Sequence, residues 1–419
     1  MMDVHLVRCM TDAQDEHDGE RDPLFTYEDP IFDREELLDV QHVPRPERII
    51  GRDEHISRVA QALNPVLFGG PPTHLLIYGK TGTGKSLAAR HVTDRLTTEA
   101  ATEDITVETV RIDCGRRSTE TEAVKSIARK FNSDSSDISV PEKGLGTGDY
   151  YTRFWEILED KVDVAFIILD EIDKLKNDEV LRNLSRAGED ENLTNTFIGL
   201  IGVSNKIDYA ETLSERVKSS FQFDDLVFHP YDADQLREIL HKRADAFKQG
   251  VLSDGVIPLC AALSAQEHGD ARKAIDTLRN AGRIAREERS QSVTKSHVRQ
   301  GKERAELNRF NELLRGTPQQ GKAVLLALAL LTEQTDEDGH STQRIYGVYE
   351  SLTSELDMKC LSERRVGELL DEQAFLNVIQ SKRTSRGRGK GMYKEHRLLE
   401  DWTVVKRVLT GDERFSDVG

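Results

Sequence analysis

The chain has 419 residues, a formal net charge of −17, 32% charged residues and 37% hydrophobic ones. That length accommodates two or three domains, each with its own core. Four widely spaced cysteines (Cys9, Cys114, Cys260, Cys360) exclude a zinc spacing and a secreted disulfide framework, and no apolar run approaches the ~20 residues of a membrane span. The acidic excess is spread along the chain. It serves either a very salty cytoplasm or a solvated surface, and the spread favours a whole-protein adaptation. The first residues lack the basic-then-apolar order of a signal peptide. A soluble intracellular protein with no membrane partner is expected.

Residues 1–42 open the chain. The first 40 hold 13 acidic and three basic residues with little periodicity, which predicts a mobile or loosely docked tail. The chain turns globular near Val43. Ile56, Val59, Ala60, Leu63 and Leu67 follow helical spacing over 52–67. Short apolar strands are predicted at 73–78, 105–113, 164–170 and 197–204, with helices at 85–99, 119–131, 149–160 and 178–187. Apolar strands alternating with helices imply a parallel sheet covered on both faces, an α/β domain over 43–230. A helical domain over 231–306 follows, with helices starting after Asp232 and near Val256, Asp270 and Thr294. The last segment, 307–419, contains a break at "RGTPQQG" (315–321). Helices at 321–334, 342–356 and 361–373, then strand, Gly-rich turn and strand over 376–399, give the order of a winged helix-turn-helix. The apolar "AVLLALALL" (323–331) reads as a core helix there.

"GKTGTGKS" at 79–86 fits the pattern GxxxxGK(S/T) between a strand and a helix, the context of a P-loop. Gly79, Gly82 and Gly84 let the backbone curl so that its N–H groups face a phosphate, and the helix N-terminus adds its dipole. Lys80, Thr81, Thr83 and Leu87 complete the predicted cradle. Lys85 supplies charge toward the outer phosphates, and Ser86 offers a hydroxyl to Mg²⁺. "FIILDEID" (166–173) ends an apolar strand in two carboxylates. Asp170 is suited to hold Mg²⁺ through water, and Glu171 to orient or deprotonate the attacking water. Asn205 ends the next strand, where an amide can hold that water or sense a γ-phosphate. Arg216 in "LSERVKSSF", acting on its own nucleotide or a neighbouring subunit's, and Arg272 in "GDARKAIDTLRNAG" are candidates to stabilise phosphate charge.

In the last segment "LSERRVGELLDE" (361–372) is the candidate recognition helix, capped by Leu361 or Ser362. Val366, Leu369 and Leu370 form its inward stripe, and Ser362, Arg364 and Arg365 occupy the first turn, where such a helix meets a major groove. Residues 380–397 carry Lys382, Arg383, Arg386, Arg388, Lys390, Lys394 and Arg397 against one acid, Glu395. Apolar residues flank this run, so it reads as a β-wing held on a core, with arginines able to enter a narrow minor groove.

Taken in order, "ERIIGRDEHISRVAQAL", "HLLIYGKTGTGKS", "FIILDEIDKL", "GVSN", "LSERVKSSF", "GDARKAIDTLRNAG" and "LSERRVGELL…GRGKG" resemble the AAA+ ATPases and, more narrowly, the archaeal origin-recognition (Orc/Cdc type) replication initiators. The resemblance implies a AAA+ P-loop parallel-sheet domain, a small helical lid and a C-terminal winged helix. It implies ATP or ADP with Mg²⁺, with Ile50, Gly51 and Arg52 near the adenine. It places Asn205 at the sensor-one position, Arg216 at the arginine finger and Arg272 at the sensor-two arginine. It also implies slow, switch-type hydrolysis, double-stranded DNA at replication origins, the minichromosome maintenance (MCM) helicase and homologous initiator subunits as partners, and a cytoplasmic, nucleoid-associated location. The segment 118–157 looks like the initiator-specific insertion that contacts DNA in this family, although here it is rich in Asp, Glu and Ser. An ATP-sensing transcriptional regulator and a motor-type AAA+ ATPase such as a clamp loader share these modules; the lone P-loop and terminal DNA module favour a switch.

Overall fold

The computed structural model describes residues 28–39, 42, 48–132, 137–159, 161–188, 192–335, 337–376, 378–385, 392–416 and 418. Its α/β domain runs α1 (Asp53–Leu63), β1 (His74–Gly79), α2 (Lys85–Thr102), β2 (Val107–Asp113), α3 (Glu120–Phe131), α4 (Thr147–Glu159), β3 (Val164–Asp170), α5 (Glu179–Ser185), β4 (Phe197–Ser204), α6 (Tyr209–Thr212), α7 (Glu215–Ser220) and β5 (Phe223–Phe228). The strands pair in parallel in the order β2-β3-β4-β1-β5. Every residue of β3 is buried, so its sequence is a continuous apolar run rather than an alternation. β5, absent from the predicted strands, is an edge strand whose exposed Asp224 and Asp225 hide its apolar character. The order matters for chemistry. β4 lies between β3 and β1, so Asn205 leaves the sheet between Asp170 and the loop after Gly79.

The helical lid consists of α8 (Ala233–His241), α9 (Val256–Glu267), α10 (Ala271–Glu287) and α11 (Lys295–Leu313). Its starts fall where the sequence places them. The Asp232 carboxylate caps α8, with Gln235 completing a capping box, and Asp270 caps α10.

Residues 28–39 depart from the expected loose tail. Ile31, Phe32 and Leu38 are buried in the lid core. Arg279, Arg283 and Arg286 of α10 grip the carboxylates of Glu35, Asp39 and Asp29 around them. A composition count sees the acids and misses the apolar residues between them, which have α10 as a seat. The rest of the expected tail, residues 1–27 and part of 40–42, lies outside the described residues.

The winged helix comprises α12 (Gln319–Thr335), β6 (His340–Ser341), α13 (Thr342–Glu355), α14 (Glu363–Phe375), β7 (Ile379–Ser385), β8 (Met392–Leu398) and α15 (Trp402–Thr410). β6 and α15 were not foreseen. The apolar run of α12 is core, with Ala323 through Ala329 fully buried. Among the described residues no helix is long and apolar enough to cross a membrane. α11 runs straight through the expected border at 306–307. Its Val298 belongs to the lid core and its Phe310 to the winged-helix core.

Candidate nucleotide site and nucleic-acid surface

The loop between β1 and α2 takes left-handed backbone at Gly82 (φ 73°) and Gly84 (φ 86°), a region that L side chains avoid. This winding turns two loop carbonyls inward. The Lys85 ammonium donates to the carbonyls of Gly79 and Lys80, both at 2.7 Å, and to the Asn205 Oδ1 at 3.0 Å. Burial lowers the Lys85 pKa to about 8, with the Asp170 carboxylate pulling the other way.

Asp170 is the hub of the opposite wall. Its Oδ1 accepts from the Ser86 hydroxyl at 3.1 Å and from the Glu171 N–H at 3.1 Å, while Oδ2 is paired with Arg111. A serine hydroxyl beside a carboxylate is a hard-oxygen donor set of the kind Mg²⁺ takes together with phosphate and water. Glu171 sits at φ 54°, an uncommon conformation for a residue other than glycine. Burial first, then the charges of Asp113 and Asp170, raise its carboxyl above the ordinary range.

The lid closes over this loop through the start of α10. The Ala271 N–H donates to the Gly82 carbonyl at 3.2 Å, and a Cβ at Gly82 would overlap the Asp270 carboxylate. Arg272 lies beside these contacts. Together the elements enclose a cleft of about 470 Å³ lined by Ile50, Thr81 through Leu87, Arg111, Asp170, Glu171, Asn205 and Arg272.

The structure therefore brings together most residues singled out from the sequence. Gly79 and Lys80 stand behind the cleft and supply the carbonyls for Lys85. Two expectations are changed. Arg52 does not line the cleft. It is buried, donates to the carbonyls of Thr83 at 2.9 Å and His229 at 2.6 Å, and stacks over Tyr231 with its guanidinium 3.9 Å from the ring centre. It braces the phosphate loop from behind. Gly51 at φ 65° is likewise outside the cleft, packed against Gln235. Arg216 is exposed on α7 and is not among the lining residues.

Sequence reasoning missed Arg111 and Tyr231. Arg111 is placed by register, with Arg111 opposite Ile168 and Asp113 opposite Asp170. A cation two residues before the end of the neighbouring strand is the signal that could have found it.

In the winged helix, Ser362 caps α14 by accepting from the Arg365 N–H, and Val366, Leu369 and Leu370 are buried as expected. Arg364 and Arg365 project from the first turn and pair with Glu368 at 3.3 and 2.8 Å. Such exposed pairs are weak and screened by salt, so they leave both arginines available to phosphate. Lys382 and Arg383 are exposed on β7. Arg386, Arg388 and Lys390, at the expected wing tip, lie outside the described residues.

Three family models match in register with these domains: an AAA domain over 70–208, a Cdc6 AAA+ ATPase-type lid domain over 237–303 and a CDC6 C-terminal winged helix domain over 312–408. The ORC1-type DNA replication protein 4 of Halobacterium salinarum is 48% identical, over 94% of this chain and 96% of that protein. The ORC1-type DNA replication protein of Pyrococcus abyssi is 41% identical, over 91% and 90%. Among solved structures, the Aeropyrum pernix ORC1 protein in complex with DNA is 35% identical with a TM-score of 0.77, covering 94% of this chain and 100% of that one. The chain belongs to the ORC1/Cdc6-type DNA replication initiators, a AAA+ ATPase family with a Cdc6-type lid and a C-terminal winged helix.

Proposed function

We propose that this protein is an ATP-regulated replication initiator that binds double-stranded origin DNA, acts beside homologous initiator subunits and helps to recruit the MCM helicase. The observation that carries the nucleotide part is the convergence of two hydrogen-bonded pairs, Lys85 with Asn205 and Ser86 with Asp170, on one cleft that Arg272 of the lid also lines. ATP or ADP would lie in this cleft with Ile50 on the base side. Ser86 and Asp170 would hold Mg²⁺, which supplies charge neutralisation at the phosphates. Glu171 orients or deprotonates the attacking water, Asn205 positions it, and Arg272 meets the phosphates from the lid. Arg216, exposed and away from its own cleft, would serve a neighbouring subunit's.

Slow, switch-type hydrolysis fits a single site joined to a DNA module. Ser362, Arg364, Arg365, Lys382 and Arg383 would form the winged-helix contact with DNA, extended by Arg386, Arg388 and Lys390. The domain limits 43–230, 231–306 and 307–419 serve as working boundaries, with α11 shared by the last two. Footprinting on the organism's replication origins, with and without ATP, tests the reading. Protection of origin sequence over random duplex is expected, and equal binding to both would overturn it.

A further inference from the structure

We propose that Arg111 is a positioning residue that holds the Asp170 carboxylate in competition with Mg²⁺, a fixed positive charge that lets the cleft keep a nucleotide diphosphate without metal. The proposal rests on the reading of the cleft as an ATP/ADP site and deepens it to how that site depends on metal.

Alternation along β2 buries Val110 and Ile112 and leaves Arg111 and Asp113 on the opposite, open face. Parallel register sets Arg111 opposite Ile168 and Asp113 opposite Asp170. The arginine therefore reaches Asp170 by leaning one pleat along the neighbouring strand. Asp113, the acid beside it on that face, is already engaged. It accepts from the Gly115 N–H at 3.0 Å and pairs with Arg116 at 3.3 Å. The Arg111 guanidinium pairs instead with Oδ2 of Asp170. The acid of this pair is buried, whereas the arginine is half-exposed and lines the cleft.

The two oxygens of Asp170 are engaged differently. Oδ1 accepts from the Ser86 hydroxyl and from the Glu171 N–H, both at 3.1 Å. A carboxylate oxygen has about two acceptor sites, so Oδ1 is filled and Oδ2 is the atom left for a metal-bound water. Arg111 sits on that atom. A guanidinium never gives up its charge and its fork is rigid, so it yields to a divalent ion only by swinging aside. The wall around it is acidic. Burial first, then the charges of Asp113 and Asp170, raise the Glu171 carboxyl above its ordinary range. Nucleotide phosphates approaching this wall without metal would be repelled by Asp170, and Arg111 cancels that charge.

The test is binding of a fluorescent ADP by the full chain, in excess EDTA and in saturating Mg²⁺. It compares the unsubstituted protein with Arg111→Ala, Arg111→Gln and Arg111→Lys. The glutamine keeps bulk and a donor beside Asp170 without the charge, and a thermal melt checks that each variant is folded. Uncovering one carboxylate is comparable to losing one charged hydrogen bond, so metal-free binding should weaken by about tenfold or more in the alanine and glutamine variants. Mg²⁺ makes good the missing charge and should restore their affinity to within about threefold of the unsubstituted protein. Arg111→Lys keeps the charge and should match the unsubstituted protein in both conditions. An equal loss with and without Mg²⁺ overturns the inference, because Arg111 then contacts the nucleotide directly or only supports the fold. A loss confined to Mg²⁺ overturns it as well, since Arg111 then orients Asp170 for the metal. So does unchanged binding in both conditions. Normal ADP binding by the unsubstituted chain in any of these cases leaves the nucleotide-site reading intact, whereas its absence overturns both.

Discussion

The Nζ of Lys85 lies 3.0 Å from the Oδ1 of Asn205, although 120 residues separate them in the chain. The contact ties the phosphate loop to the end of β4, the strand that separates the loop from Asp170. Lys85→Ala removes a buried charge and its donors together. Charged hydrogen bonds contribute roughly 1.5–3 kcal/mol each, so nucleotide affinity should fall by roughly 10- to 100-fold or more. Titration with a fluorescent nucleotide measures this. Unimpaired binding would remove Lys85 from the site.

Glu171→Gln preserves shape while removing the base. Single-turnover hydrolysis should slow by roughly 10²–10⁴-fold, with ATP affinity retained because Lys85 and Ser86 are untouched. Unchanged hydrolysis would mean that another acid, with Asp113 the nearest candidate by charge, activates the water.

Gly282 on α10 has no room for a side chain, since a Cβ there would overlap the Phe32 ring and meet Phe247. Gly282→Leu should unseat residues 28–39, at an overpacking cost of about 1–3 kcal/mol or more. Limited proteolysis should then cut on the N-terminal side of Arg48 well before it does in the unsubstituted chain. Equal protection in both proteins would show that the lid repacks around the larger side chain.

His396 is fully buried at the base of the wing, with Thr342 Oγ1 at 3.0 Å and Ser381 Oγ at 2.7 Å from its two ring nitrogens. Burial lowers its pKa from 6.5 to about 4. The unfolded chain therefore takes up the proton before the folded one does. Stability is complete above about pH 6.5 and declines as pH falls toward 4, by about 3 kcal/mol from this group. In His396→Gln, acid-induced unfolding of the winged helix should lose that portion of its pH dependence. A melt series from pH 7 to 4 with the same slope in both proteins would count against it.

Motifs whose chemistry is local were legible in the sequence. The phosphate loop, the acidic strand end and the caps at Asp232, Asp270 and Ser362 need only their own residues, so spacing was enough. What escaped depends on partners distant in the chain. Arg52 was assigned to the base pocket because it neighbours Ile50, but Tyr231 and the Thr83 carbonyl draw it behind the loop. Ile31 and Phe32 were hidden by the acids around them, because their seat on α10 lies about 250 residues away. Edge strand β5 was masked by two solvent-facing aspartates, and Arg111 reached Asp170 only through strand register.

α11 is 19 residues long, or ~28 Å from end to end. Its early turns are set in the lid, where Gly301 lies against the Ala281 backbone of α10, and its last turns are set in the winged helix. It is a rigid bar that joins the lid, whose α10 lines the nucleotide cleft, to the winged helix. A lid tilt of ~10° would swing its far end by ~5 Å, more than the 3.4 Å step between neighbouring base pairs. Movement at Arg272 too small to alter the cleft's shape much would thus be enough to shift the winged helix by a full base pair along its DNA.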